Sequence, residues 1–272
     1  MVSRRALPFS SFRLHPAAFD MIDTHCHLTD PRLGSQLEDV LARARAAGVT
    51  RFITIGTGLG DDEAAIALCR GRHDVRCAIG VHPNYSHEPE VAELPRLREL
   101  QADASVVALG EMGLDYFHHY APKTKQFQIF EPQLQLATEL NRPVVIHCRE
   151  ATDDCLAVMR KFPAIRAVFH CFTGTPDEAR KILDAGHLLG FTGAVTFKKN
   201  DALREAVALT PPDRMLVETD APYLTPEPHR SQKTNEPAMV VHVAATVARV
   251  KGMSVAEVDR VTTANAERFF GW

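Results

Sequence analysis

Short apolar runs alternate with longer segments of helical periodicity from Met21 onward, and this alternation constrains the fold more than any other feature of the sequence. The runs predict strands at 21–25, 51–56, 75–81, 105–111, 143–148, 166–171, 187–192 and 214–219. Helices are predicted near 35–47, 61–70, 91–101, 122–141, 151–161, 176–185, 200–209 and 236–250, and a last helix at 254–270 is expected to cap one end. Strands that alternate with helices form a parallel sheet, and eight such repeats close on themselves. The sequence therefore predicts an α/β protein with a single (β/α)8 TIM barrel.

The first twenty residues stand apart from this pattern. They are basic, with no acidic residue before Asp20, and their apolar stretches are too broken for a secretory signal. We predict that residues 1–20 are an N-terminal extension, either disordered or explained by an upstream start codon before a natural Met21. An organellar transit peptide is the alternative. Residues 21–272 are predicted to form one domain, since α/β barrels of this size commonly do.

Charge and cysteine content limit the partners that the protein can have. The formal net charge of -3 gives no general attraction for polyanions, so any nucleic-acid binding must come from a local cationic cluster or from metal ions. No apolar run approaches the roughly 18 residues of a membrane span. Six cysteines without a C-x-x-C pair indicate reduced thiols and a cytoplasmic protein. Nothing in the sequence points to an obligate protein partner.

Imidazole and carboxylate side chains stand where the predicted strands end. His25 and His27 are two residues apart, so both point to the same side of the first strand. Four more such residues follow strands four, five, six and eight: Glu111, His147, His170 and Asp220. The carboxyl ends of barrel strands meet at one mouth, where active sites are assembled. The six side chains therefore predict a metal centre, and their chemistry suits Zn²⁺, Mn²⁺ or Mg²⁺.

The predicted ligands divide into two sets. His25, His27 and Asp220 can hold one ion, His147 and His170 can hold a second, and Glu111 lies between them as a bridge. Two ions about 3.5 to 4 Å apart can bind the attacking and leaving oxygens of a phosphoryl displacement. Asp220 is a candidate general base, and it can be ligand, base or both. His82, after strand three, is expected to hydrogen-bond to a metal-bound water or a phosphate, or else only to a loop carbonyl.

Basic and aromatic residues also follow the predicted strands. Arg149, Arg230 and Lys233 are candidates for contacts with substrate phosphates, and surface cations without a role are the alternative. Aromatic residues of the same loops can stack on an unpaired base or simply anchor the loops. They are Phe172, Tyr116, Phe117 and Tyr223.

Six motifs in this order resemble the signatures of the TatD family of metal-dependent deoxyribonucleases, and the resemblance runs from Met21 to the end of the chain. The motifs are Asp23-Thr24-His25-Cys26-His27, Gly80-Val81-His82-Pro83, Gly110-Glu111-Met112-Gly113-Leu114-Asp115, Val145-Ile146-His147-Cys148-Arg149, His170-Cys171-Phe172-Thr173-Gly174 and Glu218-Thr219-Asp220-Ala221-Pro222-Tyr223. The resemblance implies a TIM barrel, divalent metal ions bound by the six predicted ligands, and 3′-to-5′ nuclease activity on DNA. The chain departs from the family where Thr234 replaces the arginine of an Arg-Asn-Glu-Pro motif. The resemblance therefore does not specify the phosphate contact at this position, for which Lys233 or Arg230 is the alternative.

Three other functions remain open at this point. A cyclic-amide hydrolase of the amidohydrolase kind is disfavoured, because many of those bridge their metals with a carboxylated lysine where this chain has Glu111. A TatD-like deacylase could use the same centre to remove a misattached D-amino acid from tRNA. A non-catalytic protein that has kept the barrel is disfavoured by the intact ligand set.

A mouth bounded by loops favours an exonuclease on single-stranded DNA ends over an enzyme that holds long duplexes.

Overall fold

The computed structural model describes residues 19–86 and 94–272. Eight parallel strands form one sheet in chain order, each hydrogen-bonded to the next. They are β1 Met21–Cys26, β2 Val49–Ile55, β3 Val75–Ile79, β4 Val106–Asp115, β5 Val144–Arg149, β6 Ala167–Phe169, β7 Leu188–Phe191 and β8 Met215–Val217. The sheet closes where β1 meets the segment after β8, through a parallel bridge between Cys26 and Ala221. The predicted (β/α)8 barrel is confirmed.

Helices connect successive strands and surround the barrel. They are α1 Pro31–Gly34, α2 Leu37–Ala46, α3 Leu59–Cys69, α4 Leu94–Leu100, α5 Lys123–Glu139, α6 Thr152–Met159, α7 Pro176–Asp184, α8 Asp201–Leu209, α9 Val240–Lys251 and α10 Val255–Phe270. The first predicted helix, 35–47, begins only at Leu37, and a short turn of helix with Asp30 as its N-cap precedes it. Positions 91–93 of the predicted helix 91–101 lie outside the described residues, as do positions 1–18 of the predicted extension.

Strand β4 is the main departure from the predicted boundaries. It continues four residues beyond the predicted end at 111, and Glu111 therefore lies within the strand rather than at its end. The register between β4 and β5 shifts between Leu109 and Met112, as at a β-bulge. Beyond the shift, Gly113 (φ +147°) lies so close to β5 that a Cβ atom there would be 1.9 Å from the carbonyl oxygen of His147. Because glycine has no side chain, β4 and β5 can pack this closely, and the strand continues beyond the end of the apolar run in the sequence.

Two apolar cores hold the barrel together. The first fills the barrel interior with side chains such as Ile22, Ile53 and Val168, and Phe269 and Phe270 of α10 close its amino-terminal end. The second lies between the strands and the surrounding helices. As predicted, the last helix caps one end, so the cavity at the other end is reached from a single side.

Within residues 19–86 and 94–272, no single helix combines the length and the hydropathy that a membrane span requires. The segments 237–251 and 255–270 meet the requirement only as a pair, and they are bent by 108° relative to each other. All six cysteines are free thiols.

Candidate metal centre

A cavity of about 1150 Å³ opens at the carboxyl ends of the strands. Five of the six predicted ligands line it, and the sixth, His25, is fully buried behind them. His82 and Arg149 line the same cavity. The structure thus brings together side chains from six of the eight strands or the loops that follow them, as the strand-end argument predicted.

The two carboxylate oxygens of Glu111 face different histidines. Oε1 lies 2.7 Å from His147 Nδ1 and 2.6 Å from His170 Nε2. Oε2 lies 3.4 Å from His25 Nε2. One oxygen is thus directed at the pair predicted to hold the second ion, and the other at the set predicted to hold the first. The β-bulge of β4 places this carboxylate between them.

The closure of the barrel forms the set of His25, His27 and Asp220. Asp220 Oδ1 lies 3.7 Å from His25 Nε2 and 3.4 Å from His27 Nε2. The backbone holds these residues in place, because Asp220 N–H donates to the His25 carbonyl and His27 N–H donates to the Ala221 carbonyl, at 2.9 and 2.7 Å. Ligands that are two hundred residues apart in sequence are therefore fixed by the same hydrogen bonds that join the first and last strands.

His82 is held as a hydrogen-bond donor. Its Nδ1 accepts from the backbone N–H of Asn84 at 3.0 Å, so the ring proton must be on Nε2. That Nε2 lies 3.1 Å from His147 Nδ1 and 3.4 Å from Glu111 Oε1. Burial and the neighbouring His147 lower the pKa of His82 to about 4, which keeps it neutral. The tautomer fits a donor to a water or phosphate better than a metal ligand, although His82, Glu111 and His147 lie close enough together to be a third candidate cluster.

Asp115 is the residue of the site to which the sequence analysis gave no role. Its carboxylate is buried and accepts from His147 Nε2 at 3.0 Å and from His118 Nδ1 at 2.8 Å. The same side chain also accepts from the backbone N–H groups of Phe117 and His118. Because His147 Nε2 donates to Asp115, a neutral His147 has its lone pair on Nδ1, toward Glu111. A carboxylate that fixes the tautomer of a ligand histidine in this way is common at metal sites. The only sequence signal was its position in the Gly110–Asp115 motif.

Electrostatics favour cation binding at this cavity. Burial opposes ionisation of Glu111, but the adjacent His170 and the hydrogen bonds from His147 and His170 outweigh it and hold the pKa of Glu111 well below its usual range. The pKa of Asp220 is likewise lowered, since His27 and His25 outweigh the effect of burial. Both carboxylates are therefore ionised at neutral pH.

The donor atoms fit divalent metal ions. His25 is fully buried, and neither of its ring nitrogens has a hydrogen-bond partner within the described part of the chain. A buried polar atom is costly unless something binds it. His25 Nε2 faces the carboxylates of Glu111 and Asp220, where an ion would bind it. Mixed imidazole and carboxylate donors suit Zn²⁺ or Mn²⁺, and the carboxylates also accommodate Mg²⁺.

The three candidate phosphate contacts lie in different places. Arg149 lines the cavity, and its guanidinium donates to Thr173 Oγ1 at 2.9 Å. Arg230 is exposed, packs over the Phe197 ring at 3.9 Å and does not line the cavity. Lys233 is also exposed and outside the lining. Of the three, only Arg149 is next to the candidate centre.

The fold and the centre together define a metal-dependent hydrolase built on a (β/α)8 barrel. The sequence profile of the family described as "TatD related DNase" matches residues 22–271. The chain belongs to this family, so the resemblance drawn from the six motifs is confirmed.

Individual relatives agree with the family match. The uncharacterized metal-dependent hydrolase YcfH of Escherichia coli K12 is 42% identical over 255 residues, covering 92% of this chain and 95% of that protein. The 3′-5′ ssDNA/RNA exonuclease TatD of Cronobacter sakazakii is 38% identical over 258 residues, covering 92% and 97%. The crystal structure of YjjV, a TatD homologue from Escherichia coli K12, superposes with a TM-score of 0.88 at 27% identity, covering 93% and 98%.

Proposed function

We propose that this protein is a 3′-to-5′ exodeoxyribonuclease that hydrolyses phosphodiester bonds at single-stranded DNA ends, using two divalent metal ions (Mg²⁺, Mn²⁺ or Zn²⁺). The observation that carries the proposal is the position of Glu111, whose two oxygens face two separate sets of ligand side chains. Relatives named as 3′-5′ ssDNA/RNA exonucleases support nucleic acid as the substrate class.

In this proposal, His25, His27 and Asp220 hold one ion, His147 and His170 hold the other, and Glu111 is shared. When bound, the ions supply Lewis acidity at the phosphate and lower the pKa of water. Asp220, an ionised carboxylate at the cavity, accepts the proton of the attacking water. His82, with its proton on Nε2, donates a hydrogen bond to a phosphate oxygen or to that water. Arg149 binds a substrate phosphate through its guanidinium.

The form of the cavity supports action on chain ends. The barrel interior below it is filled by apolar side chains and closed at the far end by α10, and only Arg149 among the candidate phosphate-binding cations lines it. The net charge of -3 provides no broad cationic surface for a long duplex. A strand end of a few nucleotides can enter such a mouth, whereas the interior of a duplex is held away from the centre.

The test compares linear and circular single-stranded DNA of the same sequence. We expect mononucleotides to be released progressively from the 3′ end of the linear strand, and the circle to survive. A 3′-label and a 5′-label on the linear strand determine the direction, and an RNA strand of equal length measures the preference for DNA. Glu111→Gln, purified identically, must abolish the activity, which excludes a contaminating nuclease. Efficient cutting of the circle would replace the exonuclease with an endonuclease.

We further propose that residues 21–272 form one catalytic domain preceded by the extension 1–20, and that the protein acts in the cytoplasm. The family match over residues 22–271 supports the first proposal, and the six free thiols support the second.

A further inference from the structure

The large hydrophobic side chains that are exposed in the described structure are all aromatic, and all stand around the mouth of the cavity. They are Tyr85 (48%), Phe117 (51%), Tyr120 (65%) and Tyr223 (48%). Isolated exposed apolar residues are normal on any protein, but four aromatic rings collected at one opening mark a binding surface. Tyr85, Tyr120 and Tyr223 line the cavity itself.

Each of these cavity-lining rings lies next to a histidine that also lines the cavity. The Tyr223 ring is edge-on to His27 with a centroid separation of 6.0 Å, and Tyr85 is edge-on to His82 at 6.1 Å. The Tyr120 ring stacks on His118 at 5.5 Å with an interplanar angle of 13°. His118 in turn donates to Asp115, which holds His147.

The rings stand on two opposite sides of the opening. Tyr120 follows β4, whereas Tyr223 follows β8, which is four strands away in either direction around the barrel. Arginine side chains lie beside the aromatic rings. The Arg149 guanidinium lies 5.0 Å from the Phe117 ring and forms no ion pair within the described residues. Arg32, paired with Asp30, lies over one face of the Tyr223 ring, 4.6 Å from its centroid, and the ring is still 48% exposed.

Two other aromatic residues of the mouth loops are not available for stacking. Phe172 is buried, and the Tyr116 hydroxyl donates to Asp154 Oδ2 at 2.7 Å while Lys123 covers its ring at 3.4 Å. Both therefore act as loop anchors. Tyr120, the most exposed of the rings, lines the cavity and has one face against His118.

We propose that Tyr120 and Tyr223 are stacking surfaces for unpaired nucleobases of the substrate, on opposite sides of the metal centre. This inference rests on the proposed nuclease function and specifies what its substrate must present. Every base has a π face, so stacking is tolerant of sequence, and it adds to a nearby cation that binds the phosphate. A base in a duplex already has both faces stacked, so these rings select single strands.

The test measures binding separately from hydrolysis. Fluorescein-labelled oligothymidylate and an abasic strand of equal length and charge are titrated with protein in EDTA, so that the strands stay intact. The variants are Tyr120→Leu and Tyr223→Leu, with Tyr120→Phe to restore the ring. Trp272→Leu is the matched control, because it removes a ring that lies between Arg51 and Arg76 at the opposite end of the barrel. Thermal unfolding of each variant establishes that it is folded.

We expect the wild type to prefer the thymidylate strand. Each leucine variant should weaken that binding about 5- to 150-fold, as for the loss of one stacked base, and leave affinity for the abasic strand unchanged. Tyr120→Phe and Trp272→Leu should behave as the wild type. Equal affinity of the wild type for both strands, or an equal loss on both strands in the leucine variants, would overturn the proposal.

Hydrolysis of the same two strands, with metal added back, tests the function on which the proposal rests. If the wild type cleaves both strands but the leucine variants keep a normal kcat/KM on thymidylate, the stacking surfaces fail and the nuclease stands. If the wild type cleaves neither strand, the nuclease assignment fails, while the binding comparison still decides whether the rings recognise bases.

Discussion

Replacing Asp115 by asparagine tests whether the centre depends on the tautomer of His147. In the wild type, Asp115 Oδ2 accepts from His147 Nε2 at 3.0 Å and from His118 Nδ1 at 2.8 Å. The backbone N–H groups of Phe117 and His118 occupy the other oxygen. An asparagine that keeps the backbone contacts presents its NH₂ group to two ring donors. The other tautomer of His147, with its proton on Nδ1, is then favoured. Nδ1 faces Glu111 and needs a free lone pair to bind a metal ion there.

The expected loss follows from the hydrogen bond that is removed. A hydrogen bond to a charged group contributes about 1.5–3 kcal/mol, and residues that orient a ligand histidine typically change metal affinity about 10- to 100-fold. We therefore expect Asp115→Asn to weaken the metal affinity of the His147 site by about 10- to 100-fold. Competition with a fluorescent chelator for Mn²⁺ or Zn²⁺ measures this affinity.

Two comparisons separate the tautomer from other effects of the substitution. Asp154→Asn is the matched control, since this exposed carboxylate accepts from the nearby Tyr116 hydroxyl but contacts no histidine of the centre. It should have wild-type metal affinity. In a His147→Ala background, Asp115→Asn should cause little further loss, because the ring that it orients is gone. A folded Asp115→Asn protein with normal affinity, or an undiminished loss in the His147→Ala background, would refute the reasoning.

Three further predictions concern the base, the backbone and the pH dependence of stability. Asp220→Asn should lower kcat by at least about a hundredfold at saturating metal, and near-normal turnover would show that this carboxylate is neither base nor essential ligand. Gly113→Ala should lower the free energy of unfolding by about 2–4 kcal/mol, because its Cβ meets a β5 carbonyl oxygen at 1.9 Å. The control Gly186→Ala, at φ +86° with open space around it, should lower it by only about 1–2 kcal/mol. Similar urea midpoints for the two variants would refute the packing argument. Burial lowers the pKa of His187 to about 4 in the folded state, so its neutral form stabilises the fold above pH 6.5 and that contribution is lost as the pH falls toward 4. Between pH 7 and 4, the wild type should therefore lose up to about 3 kcal/mol more than His187→Gln, and parallel losses in urea unfolding would contradict the assignment.

The barrel and the ligand side chains could be predicted because both follow from local rules. Eight alternating repeats specify the barrel, and alternation along β1 places His25 and His27 on one side. The convergence of the ligand side chains at one cavity was predictable from the strand ends alone.

The rest of the site depends on packing between strands, which one sequence does not display. β4 continues past Glu111 because Gly113 packs against β5. The apolar run in the sequence ends before Gly113, so the sequence does not indicate that the strand continues. Asp115 consequently falls beside His147 instead of in a loop. The exposure of the aromatic loop residues could not be predicted from the sequence either. Phe172 is buried, whereas Tyr120 is exposed and lines the cavity.

Metal titration of depleted protein tests the central claim most directly. The chain is stripped with a chelator, dialysed, and titrated with Mn²⁺, Mg²⁺ or Zn²⁺ while bound metal and hydrolysis of linear single-stranded DNA are measured on the same samples. We predict that the stripped protein is inactive, that activity is complete when two ions are bound per chain, and that Glu111→Gln loses affinity at both sites. Activity that persists without metal, or a Glu111→Gln protein that binds two ions normally and cleaves DNA at the wild-type rate, would contradict the account.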